Sequence, residues 1–235
     1  MFTLVTDSPV LWERPEPSER RQPSPLSRER IVRAAIELAD AADLDAVSLR
    51  KVAAALDAGP MRLYRYVDTK DELLALMADA VYAELPAPTG STWGDVLRSI
   101  AHGIRDAALR HEWFADLHGG RPHLGPATLA HAEACHAALH ASGLDDVDAR
   151  AGAMETLSVY LVGAVRKEVA ERRAERSSGL DKRQWQHASG PYLKRMLATG
   201  HYPRLAESVH GARHLTASEV FELGLDYLVK GMEAH

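Results

Sequence analysis

Ser48-Leu49-Arg50-Lys51-Val52-Ala53-Ala54-Ala55-Leu56-Asp57-Ala58-Gly59-Pro60-Met61-Arg62-Leu63-Tyr64-Arg65-Tyr66 reads as a helix, a tight turn and a second, short helix. Ser48 is placed as the N-cap of the first, which runs from Leu49 to about Leu56. Val52, Ala53 and Leu56 recur at helical spacing and face a core. Ala58 and Gly59 let the chain turn closely, and Pro60 suits a first helical turn because its missing N–H is not needed there. On the short helix, expected to reach Val67, Leu63 and Val67 form the apolar side. Met61, Arg62, Tyr64, Arg65 and Tyr66 are left outside, and Arg62 and Arg65 are the only charges between Ala58 and Val67. Such a helix fits a major groove, where arginine is suited to bidentate contact with guanine. Tyrosine offers a hydroxyl to phosphates and an apolar ring to thymine methyls. By spacing alone, a helical hairpin with a solvated Arg/Tyr face is the competing reading.

The period of 3.6 residues extends in both directions. Upstream, Ile31, Ala34, Ala35, Leu38 and Ala42 mark a helix from Ser27 to about Ala42. Downstream, Thr69-x-x-Glu72 is a capping box opening a helix to Leu85, and Lys70 at its start combines an ammonium with a helix N-terminus, a phosphate-holding pair. Further helices are expected from Thr92 (Thr92-x-x-Asp95) to about Arg110, from Ala127 to Ala141 and from Val147 to Arg176. The stretch from Ser177 to Gly190 reads as a polar surface loop, followed by short helices at Pro191–Ala198 and Pro203–Val209. Thr216-x-x-Glu219 opens a last helix to about Ala234. No segment alternates apolar and polar residues with β-branched bias, so the fold class is all-α. Residues 1–26 carry Pro9, Pro15, Pro17, Pro23 and Pro25 with Arg14, Arg20 and Arg21, a disordered arm that is either solvated or touches DNA.

Residues 27–85 resemble the N-terminal domain of the tetracycline-repressor (TetR) family. The resemblance rests on Ser48-Leu49-Arg50-Lys51-Val52-Ala53, on Leu63-Tyr64-Arg65-Tyr66-Val67 and on Lys70-Asp71-Glu72-Leu73-Leu74. Two positions depart from the family pattern. Asp57 stands where glycine is usual in the turn, a place aspartate tolerates. Arg62 stands where a small residue is common. Residues 86–235 resemble the family's effector-binding and dimerisation domain through Trp93–Arg110, His111-Glu112-Trp113, Arg121–Pro126, Leu139–Leu144 and Val162–Val165.

The resemblance implies a ligand-responsive transcriptional regulator, usually a repressor, that binds a palindromic double-stranded DNA operator as a homodimer and is released by a small-molecule effector. Its implied DNA contacts are Arg50, Pro60, Met61, Arg62, Tyr64, Arg65, Tyr66 and Lys70. By rough alignment the ligand-facing residues are Ile100, Ile104, His118, Arg121, Cys135, Met154 and Ser158. The dimer helices are about 147–176 and 216–234, with Leu157, Leu161, Val165, Val220, Leu223 and Tyr227 at the interface. His118-Gly119 falls where a histidine–glycine pair in the tetracycline repressor helps hold a metal–drug complex. The flanking residues differ, and no metal or other cofactor is assigned.

The 235 residues carry 28 Lys+Arg against 33 Asp+Glu, a formal net charge of -5. That balance excludes a generally sticky polycation without excluding a sequence-specific DNA reader. A lone cysteine, Cys135, excludes an intrachain disulfide framework, and no run is long and apolar enough for a membrane, so a cytoplasmic protein is expected. No glycine-rich phosphate loop, nucleophile elbow or paired metal-ligand motif suggests catalysis. A helical enzyme and a protein-binding adaptor without a DNA target are the rival classes.

Overall fold

The computed structural model describes residues 10–17, 26–120, 124–213 and 215–234. Among these it contains helices and connections only. The principal helices are α1 (Arg28–Ala42), α2 (Leu49–Ala55), α3 (Pro60–Leu63), α4 (Lys70–Ala83), α5 (Trp93–Arg110), α6 (Phe114–Leu117), α7 (Pro126–Ala141), α8 (Val147–Ser178), α9 (Lys182–Leu197), α10 (Pro203–Gly211) and α11 (Ala217–Glu233).

Their boundaries follow local chemistry. Ser27, Ser48, Thr69, Thr92 and Thr216 each accept an N-terminal backbone N–H of the helix they open. At α5 and α11 the N3 carboxylate, Asp95 or Glu219, reaches back to complete a capping box. These carboxyls are held below their usual range chiefly by hydrogen bonds from Thr92 and Thr216 respectively. Gly143, at φ +98°, ends α7 in the left-handed conformation.

Contacts group the chain into two compact units, residues 1–162 and 163–235, the first of which contains both the helix-turn-helix segment and the first helices after residue 86. The reason lies in α4, which packs on α1 and also on α6 and α7. Its Leu73, Met77 and Val81 are fully buried, so the helix-turn-helix segment and the first effector helices share one core. In the second unit α9 packs against α10.

Two expectations need correction. The polar stretch read as a loop to Gly190 is helical from Lys182, and α9 continues through Pro191 without a break into the segment read as a separate short helix. An Asp181/Gln184 capping box starts it. Proline removes one internal N–H, and here the interruption is tolerated. Within the stretch read as a disordered arm, Leu11–Glu13 form a 3-10 turn. Arg14 is ion-paired to Asp68 and Glu72, which holds this short segment against the folded chain. Arg20 and Arg21 lie outside the described residues.

Candidate nucleic-acid interface and effector core

The α2–α3 turn depends on one left-handed residue, Asp57 (φ 50°). Ala58 N–H closes it on the Ala53 carbonyl at 2.9 Å. Gly59 has an ordinary extended backbone and open space around it, so the turn requires nothing of that glycine. The α-helix α3 is a single turn ending at Leu63, and 3-10-like bonds carry the chain on to Val67. Met61 is 78% exposed and Tyr64 46%; Arg50, Pro60, Arg65 and Lys70 are exposed, and Arg62 is half-buried.

Tyr66 departs from the sequence reading. It is 1% exposed, because it lies three residues after the buried Leu63 and turns to the same side. Its ring belongs to the core, and its carbonyl accepts from Arg28 Nε at 3.2 Å. Lys70 opens α4 and donates to the Leu44 carbonyl at 3.1 Å. Glu72 does not complete a capping box with Thr69. Its carboxylate accepts from the Asp68 N–H at 2.8 Å and pairs with Arg14.

The effector half of the first unit contains an aromatic cluster. Tyr82 of α4 sits edge-on to Phe114 of α6, centroids 5.5 Å apart, and 5.8 Å from the His131 ring of α7. His118 lies 5.7 Å from Phe114, and its Nδ1 is 3.2 Å from the Tyr82 hydroxyl. Cys135 Sγ is 3.4 Å from His131 Nε2. Burial pushes both the Tyr82 hydroxyl and the Cys135 thiol up to about 12 and holds His131 below its usual value.

Two of the expected ligand residues, His118 and Cys135, therefore meet in one cluster. Ile100 and Ile104 are buried on α5, which packs on α6 and α7. Met154 and Ser158 are half-buried on α8, and Arg121 lies outside the described residues. A Cβ at Gly119 (φ +84°) would stand 2.2 Å from Val162 Cγ2, so the bend after His118 lies directly on α8. Tyr82, Phe114 and His131 were not anticipated. The i,i+4 spacing of His131 and Cys135 was the available signal. In the second unit a cleft of about 950 Å³ is lined by charged residues including Lys167, Glu171, Arg183 and Arg213, and by none of the expected ligand residues.

The expected dimer residues separate into two groups. Leu157, Leu161 and Val165 are 1–2% exposed, part of a buried stripe that repeats every fourth residue of α8, so they have no surface left for a partner. Val220, Leu223 and Tyr227 are exposed on α11, on the side away from buried Phe221, Leu225 and Val229.

Residues 31–77 match the family described as "Bacterial regulatory proteins, tetR family", and residues 85–235 match "Tetracyclin repressor-like, C-terminal domain". The chain belongs to the TetR family. It is a ligand-responsive, DNA-binding transcriptional repressor. Among relatives of this TetR-family chain is an HTH-type transcriptional regulator of Saccharopolyspora erythraea, 35% identical over 96% of this chain and 92% of the relative. The HTH-type transcriptional repressor DrrR1 of Streptomyces coeruleorubidus is 34% identical over 95% and 83%. The solved TetR family protein ActR of Streptomyces coelicolor, in complex with actinorhodin, superposes with a TM-score of 0.76 at 29% identity, covering 90% of this chain and 97% of ActR.

Proposed function

We propose that this TetR-family protein binds a palindromic operator in the cytoplasm as a homodimer. An aromatic small molecule, entering the core around Tyr82, Phe114, His118, His131 and Cys135, then releases it. The carrying observation is the exposed face of Met61, Tyr64 and Arg65 with half-buried Arg62, in a stretch from Ala58 to Val67 free of acidic residues. Arg62 and Arg65 read bases, Tyr64 and Met61 add apolar and hydroxyl contacts, and Arg50 and Lys70 hold phosphates. Regulation works by binding alone, with no catalytic step.

The link between effector and operator is α4. It carries Lys70 at its first residue and Tyr82 near its last, twelve residues and about 18 Å apart. A ligand that displaces His118 from Tyr82 favours a different seating of α4, and so a different separation of two reading heads. This requires unequal ligand affinity for the two seatings. The likeness to ActR, solved with actinorhodin and with (S)-DNPA, supports a small-molecule effector, and the ring cluster favours an aromatic one.

The test is selection of bound sequences from random duplexes, followed by affinity against salt. The log–log slope is expected to be steeper than about -4. Arg62→Ala relaxes base preference, whereas Lys70→Ala weakens all sequences about equally. A flat salt response would overturn the reading.

A further inference from the structure

The segment before α1 is tied to the folded chain at both ends. At one end, the Trp12 indole and the Asp79 carboxylate lie against Gly125, the N-cap of α7. A Cβ built there would stand 2.2 Å from Asp79 Oδ1 and 2.8 Å from Trp12 Cη2. At the other end the Arg14 guanidinium forks, with Nη2 donating to Glu72 at 2.6 Å and Nη1 to Asp68. The Arg14 carbonyl accepts from Arg28 Nη1 at 2.6 Å, while Arg28 Nε donates to the Tyr66 carbonyl and the Arg28 backbone N–H to Glu16. The segment thus spans α4 from its first turn, at Glu72, to the level of Asp79, about 10 Å further along.

Asp68 and Glu72 flank Lys70 at the end of α4 that faces the expected phosphate. Two uncompensated carboxylates there would repel it. Arg14 faces both, and with its guanidinium committed to them it is not placed to grip a phosphate itself.

We propose that residues 11–16 form a strap that positions the reading head, with Arg14 as its positioning residue. The proposal rests on the α3 face meeting DNA. The strap fixes the Tyr66–Asp68 connection against α1, neutralises the two acids beside Lys70, and anchors at the N-terminus of α7.

The full-length protein and its selected duplex supply the test. Arg14→Ala is expected to weaken operator binding about tenfold, with the salt slope unchanged and the helical fold retained by circular dichroism. Arg14→Lys, which keeps the charge and loses the fork, gives a smaller loss. In an Asp68→Ala, Glu72→Ala background the same Arg14→Ala change has little effect, because neither a charge nor an acceptor is left for the guanidinium. No loss in the wild-type background, or equal loss in both, overturns the strap. A slope shallower by about two per dimer also overturns it, since that marks a direct phosphate contact. Arg62→Ala runs alongside: unchanged base preference there refutes the α3 reading, whatever Arg14 does.

Discussion

Burial governs the ionisation of His131. Its imidazole is held below 6.5 by desolvation, so the folded protein takes up this proton less readily than the unfolded chain. The contribution to stability is full above about pH 6.5 and is lost as pH falls from there toward the folded value. The wild-type melting temperature is therefore expected to fall more steeply between about pH 7 and pH 5.5 than that of His131→Gln, whose side chain does not titrate. Identical slopes would show that His131 is not desolvated. The neighbouring Cys135 thiol, pushed up to about 12 and fully buried, is inert for the same reason. Mass spectrometry after iodoacetamide at about pH 8 should find it unmodified in the folded protein and alkylated in guanidinium. Composition could not give these environments, because they depend on which rings close over α7. The turn at Asp57 was legible, since aspartate is among the few residues that accept φ of 50°. Tyr66 was not: past the last regular turn of α3 the three-residue period of the 3-10 bonds, and not the 3.6-residue period, places it under Leu63.

Helix α7 begins at Gly125-Pro126, which provides no side-chain cap of its own. Asp79 of α4 supplies one from across the core. Its Oδ1 accepts from the Thr128 N–H and hydroxyl, each at 2.8 Å, and Oδ2 from the Ala127 N–H at 3.3 Å. A carboxylate at a helix N-terminus also meets the positive end of the helix dipole. Asp79→Ala leaves those half-buried donors without their cap and should cost about 1 kcal/mol in urea unfolding. Asp79→Asn, which still accepts, should cost less. A loss below about 0.5 kcal/mol for the alanine variant would mean that water replaces the cap. Most helices were legible through such end signals, as the threonine and serine caps show. The failure at α9 has the same root. Asp181-x-x-Gln184 is also a start signal, but it sits among Ser, Gly and Pro residues that act as breakers elsewhere, and most of the helix is exposed, so no apolar stripe marked it. The one-turn α6, which brings Phe114 to Tyr82, is too short to show a period at all.

At the scale of the whole molecule, a net charge of -5 makes one copy a poor ligand for DNA in general. In the proposed homodimer two reading heads on one duplex would offset this, since each adds its Arg and Lys contacts to the same binding event. The assembly surface must then be one that folding leaves uncovered. On α8 the leucines at 157 and 161 are consumed by the protomer's own core, whereas on α11 Leu223 is 39% and Tyr227 67% exposed. These two classes predict opposite failures. Leu157→Asp places a charge where no water reaches and should unfold the chain, seen as loss of the cooperative helical melt. Leu223→Asp with Tyr227→Asp leaves the protomer core intact and should yield a folded species of half the mass by light scattering. That monomer keeps α3 unaltered, so any affinity it loses for a palindromic duplex measures the second head. Its salt slope should fall to about half that of the dimer. An unchanged mass would move the interface away from α11. A folded monomer with undiminished operator affinity would show that one head suffices, and the palindrome would then not be required.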